Sequence, residues 1–202
     1  MSLLPLFPLD LVLLPESPLP LHIFEPRYKE MVGECLRRKE PFGVIRIATD
    51  GIVRVGCTAE IVDVLRTYPD GRMDILALGR RRFAVQDVDR ELEFLRGEVE
   101  YLEEETESTI EQSTISSVFF LHRTLMDLLG RGEEPIEEDG PMLSYRLTSA
   151  LPVDLDFKQQ LLEMRAETTR LESLIVFYRK AIPKLKSHQF SQKKSNTNGW
   201  IH

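Results

Sequence analysis

The apolar pattern of this chain changes its period once, near residue 103, and this change constrains the fold more than any other feature. From 41 to 102, short runs of apolar residues alternate with polar ones, which is typical of half-buried β-strands. After Glu103, apolar residues recur every three or four positions, which indicates amphipathic helices. The sequence therefore predicts an α+β protein with three parts: a β-rich subdomain (1–103), an α-helical bundle (104–183) and a disordered tail (184–202).

Prolines, glycines and turn motifs divide the front half into elements. Prolines at 5, 8, 15, 18 and 20 restrict the first strands to short, bent or edge positions, and the run 9–14 is interpreted as a buried strand. Pro26 opens a helix predicted over 26–39. The turn Tyr68-Pro69-Asp70-Gly71-Arg72 joins two strands in a hairpin. The pattern predicts a small antiparallel sheet or partly closed barrel with strands at 42–48, 53–61, 73–78, 83–88 and 94–101.

The rear half contains four predicted helices. Ser108 and Glu111 resemble a capping box for a helix that ends near Gly130. A short helix follows at 142–150, and Asp154 or Asp156 caps the next one, which ends near residue 165. The last helix is predicted over 168–182, where Pro183 stops it.

Charge and cysteine usage restrict the function classes. The net charge is -7 and the sequence pI is about 5.3, which disfavours binding to a phosphate backbone. Cys35 and Cys57 lie in apolar patterns and are expected to be buried thiols in a reducing compartment. The apolar start of the chain lacks a basic flank and is broken by Asp10 and by prolines. We therefore expect neither a signal peptide nor a spanning helix, and a cytoplasmic location.

Four common catalytic or metal-binding motifs are absent from the sequence. The sequence contains no G-x-x-x-x-G-K-[ST], no G-x-S-x-G, no H-E-x-x-H and no C-x-x-C. His122 falls on an apolar helical face, where a packing role is favoured over a metal-ligating one. A further candidate function is an unrecognised hydrolase. It is disfavoured because the sequence shows no set of residues that could act together as catalytic groups. We therefore predict no catalytic residues, no metal and no cofactor.

The triplet Arg80-Arg81-Arg82 has two interpretations. It either forms an anion-binding or RNA-binding patch, or it lies in a turn whose arginines pair with the acidic excess. The second interpretation is favoured, because acidic residues outnumber basic ones.

Several segments together resemble the N-terminal substrate-binding domain of Lon proteases: Leu6-Phe7-Pro8-Leu9-Asp10, Leu19-Pro20-Leu21-His22-Ile23-Phe24-Glu25-Pro26-Arg27-Tyr28, Val55-Gly56-Cys57-Thr58-Ala59-Glu60-Ile61 and Gly79-Arg80-Arg81-Arg82-Phe83. The resemblance extends over residues 3–182. It implies a PUA-like β-rich half, a helical half, and a freestanding module that binds polypeptides and has no catalytic role. Many family members carry a glycine just after Pro15, where this chain has Glu16, and this difference affects the shape of one turn.

The segment 22–28 is the candidate site. It is a strand-to-helix junction in which Phe24, Glu25, Arg27 and Tyr28 either have a structural role or line a groove for an extended peptide. The resemblance implies unfolded or extended polypeptide as partner, with a protease or chaperone as a further partner of an adaptor. The alternative is a nucleic-acid-binding PUA-like module.

Overall fold

The computed structural model describes residues 3–49, 51–89, 91–105, 110–131, 136 and 142–197, with side chains described as far as 189. The chain divides into two compact units. The first comprises residues 1–105 and 148–165, and the second comprises 106–147 and 166–202. The predicted α+β class is confirmed in its coarse form, because a largely antiparallel sheet is combined with helices.

The first unit contains the strands and two helices. Its elements are β1 (Leu4–Leu9), β2 (Pro18–Ile23), α1 (Pro26–Arg38), β3 (Phe42–Ala48), β4 (Gly51–Ile52), β5 (Val55–Thr67), β6 (Met73–Asp89), β7 (Leu95–Tyr101) and α4 (Leu155–Glu163).

Five strands of the first unit form a closed ring. The sheet runs in the order β1-β7-β6-β5-β3, and β1 also pairs with β3 in parallel, which joins the two ends. Leu6, Ile45, Phe83 and Val85 lie inside the ring and are almost fully buried. Closure removes exposed sheet edges in this half of the sheet.

Three strands extend beyond the ring and form a surface that we call the arm. The arm consists of β2, residues 73–78 of β6 and residues 60–67 of β5, with β6 in the middle. Beyond Ala59, the described residues of β5 pair with β6 alone. The predicted turn at 68–72 is confirmed: Gly71 N–H donates to the Tyr68 carbonyl at 2.9 Å, and Gly71 has a φ of 81°.

The strand β6 continues through Gly79, where the sequence predicted a break. A Cβ atom at position 79 would lie 2.2 Å from the carbonyl oxygen of Leu14, so only glycine allows the 14–17 segment to approach the strand. Glu16 N–H donates to the Gly79 carbonyl at 2.9 Å, and Gly79 N–H donates to the Ser17 carbonyl at 3.0 Å. The glycine therefore marks a close backbone approach and not a strand end.

The predicted strand at 9–14 is wrong. The strand β1 ends at Leu9, and Leu13 and Leu14 are buried without belonging to a strand. Their burial explains the apolar run equally well. Glu16 has a φ of 60°, in the left-handed region that suits the glycine of other family members.

The helix α1 agrees with its prediction. Pro26 occupies the first turn, and the chain leaves the helix at Lys39 in the left-handed conformation. The buried face of this helix carries Met31, Val32 and Cys35, which are nearly or fully inaccessible.

The segment 148–165 belongs to the first unit, although the sequence grouped it with the helical subdomain. Asp154 caps α4 by accepting a hydrogen bond from Phe157 N–H at 2.7 Å, which was one of the two predicted caps. The Gln159 amide donates to the Val55 carbonyl at 3.1 Å, and Arg46 contacts Asp156 at 2.6 Å. These polar contacts attach α4 to β3 and β5.

The second unit is helical. It contains α2 (Gln112–Leu128), most of α3 (Leu143–Ser149) and α5 (Glu167–Thr197). Arg170 is fully buried and pairs with Glu167 at 2.6 Å, while its guanidinium lies 4.5 Å from the Tyr145 ring centre. The capping role predicted for Ser108 lies outside the described residues; α2 begins after Glu111, which makes no side-chain cap.

The helix α5 continues through Pro183 to Thr197, where the sequence predicted a helix end and a disordered tail. Proline inside a helix removes one backbone hydrogen bond and favours a kink or a break, so tertiary contacts must support the helix there. Packing against α2 supports the helix on both sides: His122 hydrogen-bonds the Tyr178 hydroxyl at 2.8 Å, and the Gln189 amide donates to the Leu128 carbonyl at 2.8 Å. His122 is therefore the packing histidine that the sequence favoured.

Among the described helices, none combines the length and apolar character needed to cross a membrane.

Candidate functional site

The outer face of the arm carries a row of polar side chains across three strands. His22 on β2 lies opposite Asp74 on β6, which lies opposite Arg66 on β5. The His22 Nδ1 atom is 2.5 Å from an Asp74 carboxylate oxygen, and the Tyr68 hydroxyl donates to the other oxygen at 2.8 Å. These two hydrogen bonds lower the pKa of Asp74 below its usual value.

Tyr68 at the start of the hairpin turn has two arginines close to its ring. The Arg66 and Arg72 guanidinium groups lie 4.6 Å and 5.0 Å from its ring centre, within the range of cation–π attraction. The Arg72 backbone N–H donates to the Asp70 carboxylate and the Arg72 side chain pairs with it at 2.7 Å, and both contacts hold the pKa of that carboxyl below its usual value. The tip of the arm therefore combines an aromatic ring with two cations.

Phe24 extends the aromatic surface of the arm. Its side chain is 58% exposed, and its ring lies 6.0 Å from that of His22 in a nearly parallel arrangement. It follows the last residue of β2, where the chain turns into α1. An exposed phenylalanine held next to an aromatic neighbour is a typical contact residue for an apolar partner.

The other three predicted site residues are placed differently. Glu25 precedes α1 and accepts from Arg27 at 2.9 Å, so these two side chains form a local ion pair. Tyr28 is 6% exposed and stacks on Phe7 with ring centres 4.1 Å apart. Burial raises the pKa of the Tyr28 hydroxyl. The segment thus presents Phe24 to solvent and directs Tyr28 into the core.

Two β-bulges on β5 place further apolar side chains at the surface. The register of β5 on β6 shifts between Ile61 and Asp63 and again between Val64 and Arg66. The extra residues are Val62 and Leu65, which are 46% and 57% exposed. Neither side chain was predicted from the sequence as part of a site. The available signal was the adjacent apolar pairs Ile61-Val62 and Val64-Leu65, which interrupt the alternation of a regular strand.

Both edges of the arm are unsuited to pairing with an added strand. On β2, Pro18 and Pro20 are exposed and lack the N–H groups that an outer strand would need. On β5, the two bulges interrupt the regular spacing of backbone groups. The arm therefore offers side chains, not a continuous backbone edge, to a partner.

A separate cavity of about 220 Å³ lies between β1 and α1. Its wall is predominantly polar, and Arg96 and Glu34 in it are 3.2 Å apart. Cys35 also lines it, and burial raises the pKa of this thiol to about 11, which disfavours the reactive thiolate. Exposed apolar side chains are found on the arm, not at this cavity.

The arginine triplet is paired with glutamates. Arg80 contacts Glu60, Arg81 contacts Glu103 and Arg82 contacts Glu104, each at 2.6 Å. The favoured interpretation of acidic pairing is thus confirmed, although the triplet lies within β6 and not in a turn.

Within the described parts of the chain, no three His, Cys, Asp or Glu side chains are grouped as metal ligands would be.

Comparison with known proteins gives the family. Residues 3–180 match the model of the ATP-dependent protease La (LON) substrate-binding domain. The chain belongs to this family. Its Lon relatives include the Lon protease of Amoebophilus asiaticus, 27% identical over 177 residues, which are 83% of this chain and 21% of that protein. The Lon protease of Parabacteroides distasonis is 25% identical over 141 residues, 65% of this chain and 17% of that protein. This chain thus spans about a fifth of the length of these Lon proteases.

Solved Lon domains share the fold. A crystal structure of a Lon N-terminal domain protein from Xanthomonas campestris matches with a TM-score of 0.71 and 29% identity, covering 87% of this chain and 98% of that one. The N-terminal domain of a Mycobacterium avium complex Lon protease matches with a TM-score of 0.66 and 18% identity, covering 89% and 100%. The second similarity concerns the fold alone. The family resemblance inferred from sequence is therefore confirmed.

Proposed function

We propose that this Lon-family domain is a non-catalytic polypeptide-binding module and that the arm is its binding surface. The observation that carries the proposal is the set of exposed apolar side chains on the arm: Phe24 after β2, and Val62 and Leu65 at the two bulges of β5. The matched family is itself described as a substrate-binding domain.

The chemistry of the arm suits unfolded segments of many sequences. Burial of apolar surface is non-directional, so it does not require a particular partner sequence. Each exposed side chain contributes at most about 1.5–3 kcal/mol when it becomes fully buried, and the ordering of a flexible peptide offsets part of that gain. We therefore expect weak, degenerate binding, as a substrate-capturing module requires.

Within this proposal, the remaining predicted site residues (Glu25, Arg27 and Tyr28) hold the segment that presents Phe24. The Glu25–Arg27 ion pair lies beside it on the surface, and Tyr28 anchors the start of α1 in the core. In the adaptor version of the proposal, a protease or chaperone receives the captured polypeptide. The β-rich half is proposed to be PUA-like. The alternative function for such a PUA-like module is nucleic-acid binding. The pairing of Arg80, Arg81 and Arg82 with glutamates favours polypeptide over that alternative.

Titration of a fluorescent, unfolded apolar peptide against the purified chain tests the proposal. Phe24→Ala and Leu65→Ser should each weaken binding about fivefold, as loss of roughly 1 kcal/mol of apolar contact predicts. Phe120→Ala is the matched control, because Phe120 on α2 is 71% exposed and lies outside the arm. Equal effects of the Phe24 and Phe120 variants, or no binding by the native chain, would refute the arm as the site.

A further inference from the structure

We infer that Arg66 gives the arm a preference for polypeptide segments in which an acidic residue adjoins apolar ones. This inference rests on the proposed function and names its substrate class. It follows from the charge left over on the arm after the local ion pairs are formed.

The Arg66 guanidinium is held in place and makes no direct ion pair among the described residues, although Asp74 attracts it at longer range. It is exposed and stacked 4.6 Å from the Tyr68 ring centre. Among the described residues it forms neither a hydrogen bond nor an ion pair, in contrast to Arg72, which pairs with Asp70. An arginine fork bound to an aromatic face retains its donors for a carboxylate.

The ring beneath Arg66 is itself fixed. The Tyr68 hydroxyl donates a hydrogen bond to Asp74 at 2.8 Å, and Asp74 also contacts His22 at 2.5 Å. Asp74 also attracts Arg66 without contacting it directly, and both of its carboxylate oxygens are taken by hydrogen bonds to His22 and Tyr68. A pre-positioned cation loses less side-chain entropy on binding than a mobile one.

Apolar groups lie next to this cation on the arm. Leu65 precedes Arg66 in the chain, and Phe24 stacks on His22, the residue at the other end of the same row. Neighbouring strands are about 4.8 Å apart, so the Cα atoms of His22 and Arg66 are separated by roughly 10 Å. An extended peptide of three or four residues spans about that distance.

Asp63 on β5 is a second acidic residue near Arg66, besides Asp74. It pairs in register with Leu76, two residues from Asp74 on β6, and it forms no ion pair among the described residues. The whole chain also carries a net charge of -7, which repels acidic partners in general. A preference for acidic peptides would therefore have to arise locally at Arg66. A single unpaired guanidinium suits one carboxylate better than the continuous backbone of a nucleic acid.

The test compares two unfolded fluorescent peptides that share one apolar core and differ in a flanking residue, Glu in the first and Gln in the second. At low ionic strength the native chain should bind the Glu peptide about three- to fivefold more tightly, and added salt should remove the difference. Arg66→Gln should abolish the preference, so that this variant binds the Glu peptide and the Gln peptide with equal affinity. Asp63→Asn should increase the preference, and Arg179→Gln, which removes an exposed arginine from α5, should not alter it.

The outcomes separate this inference from the proposed function. If the native chain binds both peptides equally, and Phe24→Ala still weakens both, the inference fails while the proposed function stands. If neither peptide binds, the proposed function fails. Displacement of the Glu peptide by a single-stranded RNA of equal charge would overturn the assignment of Arg66 to polypeptide.

Discussion

The guanidinium of Arg82 on β6 lies 2.7 Å from the carbonyl oxygen of Met164, at the C-terminal end of α4. It also donates to the Leu162 carbonyl at 3.1 Å and contacts the Glu104 carboxylate at 2.6 Å. The side chain is 1% exposed. A buried cation at a helix C-terminus satisfies carbonyl groups that have no partner within the helix. This contact holds the C-terminal end of α4 against β6 in the first unit.

Replacement of Arg82 by methionine should therefore loosen α4. The change removes the cation and its donors, and we expect the free energy of unfolding to fall by about 3 kcal/mol. Amide hydrogen exchange of residues 155–164 should accelerate more than that of β6. Arg81→Met is the control, because the Arg81–Glu103 pair is exposed and should contribute less than about 1 kcal/mol. Equal losses in the two variants would contradict the role given to Arg82.

Glu16→Gly should stabilise the protein. Glu16 has a φ of 60°, and a non-glycine residue in this region costs about 1 kcal/mol. The greater freedom of glycine in the unfolded chain offsets part of this, so we expect a net gain of roughly 0.5 kcal/mol in urea unfolding. Glu16→Ala retains the strained backbone and should give no such gain. A loss of stability in the glycine variant would contradict the argument.

The hydrogen bonds from His22 and Tyr68 should make the arm sensitive to acid. They lower the folded-state pKa of Asp74, so their contribution is complete above the unfolded-state pKa and is lost as the pH falls through the folded-state pKa. The difference in Tm between the native chain and Asp74→Asn should be present at neutral pH and vanish once Asp74 is protonated.

A carboxyl NMR titration measures the Asp74 pKa directly. Tyr68→Phe removes one of the two hydrogen bonds and should move this pKa back towards its usual value. An Asp74 pKa unchanged by that substitution would show that the Tyr68 hydroxyl is not a significant cause of the shift.

Both cysteines should resist alkylation in the folded protein. Burial raises the pKa of Cys57 to about 12 and that of Cys35 to about 11, and both are free thiols. At about pH 8, iodoacetamide should label neither thiol until urea unfolds the chain, because the thiolate is the reactive form. Mass spectrometry gives the extent of labelling. Rapid labelling of Cys57 in the native protein would show that the core around it opens.

Much of the fold could be predicted from local patterns. The change of period near residue 103, the helix opened by Pro26, the hairpin at 68–72 and the cap at Asp154 each depend on a few adjacent residues. The family resemblance located Phe24 as a candidate, and the structure places it on the surface. The acidic pairing of the arginine triplet followed from composition.

The remaining features depend on contacts between residues distant in the chain. Tyr28 and Phe24 share one motif, but Tyr28 packs on Phe7 in the core, whereas Phe24 is exposed. The continuity of β6 through Gly79 depends on the approach of Leu14.

The sequence by itself determined the division into a β-rich front half and a helical rear half, because hydrophobic periodicity and turn residues act over a few positions. Only the tertiary structure decided which apolar residues of β5 face solvent, where α4 packs, and that Arg66 on the arm makes no direct ion pair among the described residues. Those outcomes depend on the register of β5 against β6 and on where each charge finds its counterpart. The turn at 68–72 starts that register, but the two bulges of β5 then shift it, and charge partners such as Arg82 and Glu104 come from separate elements.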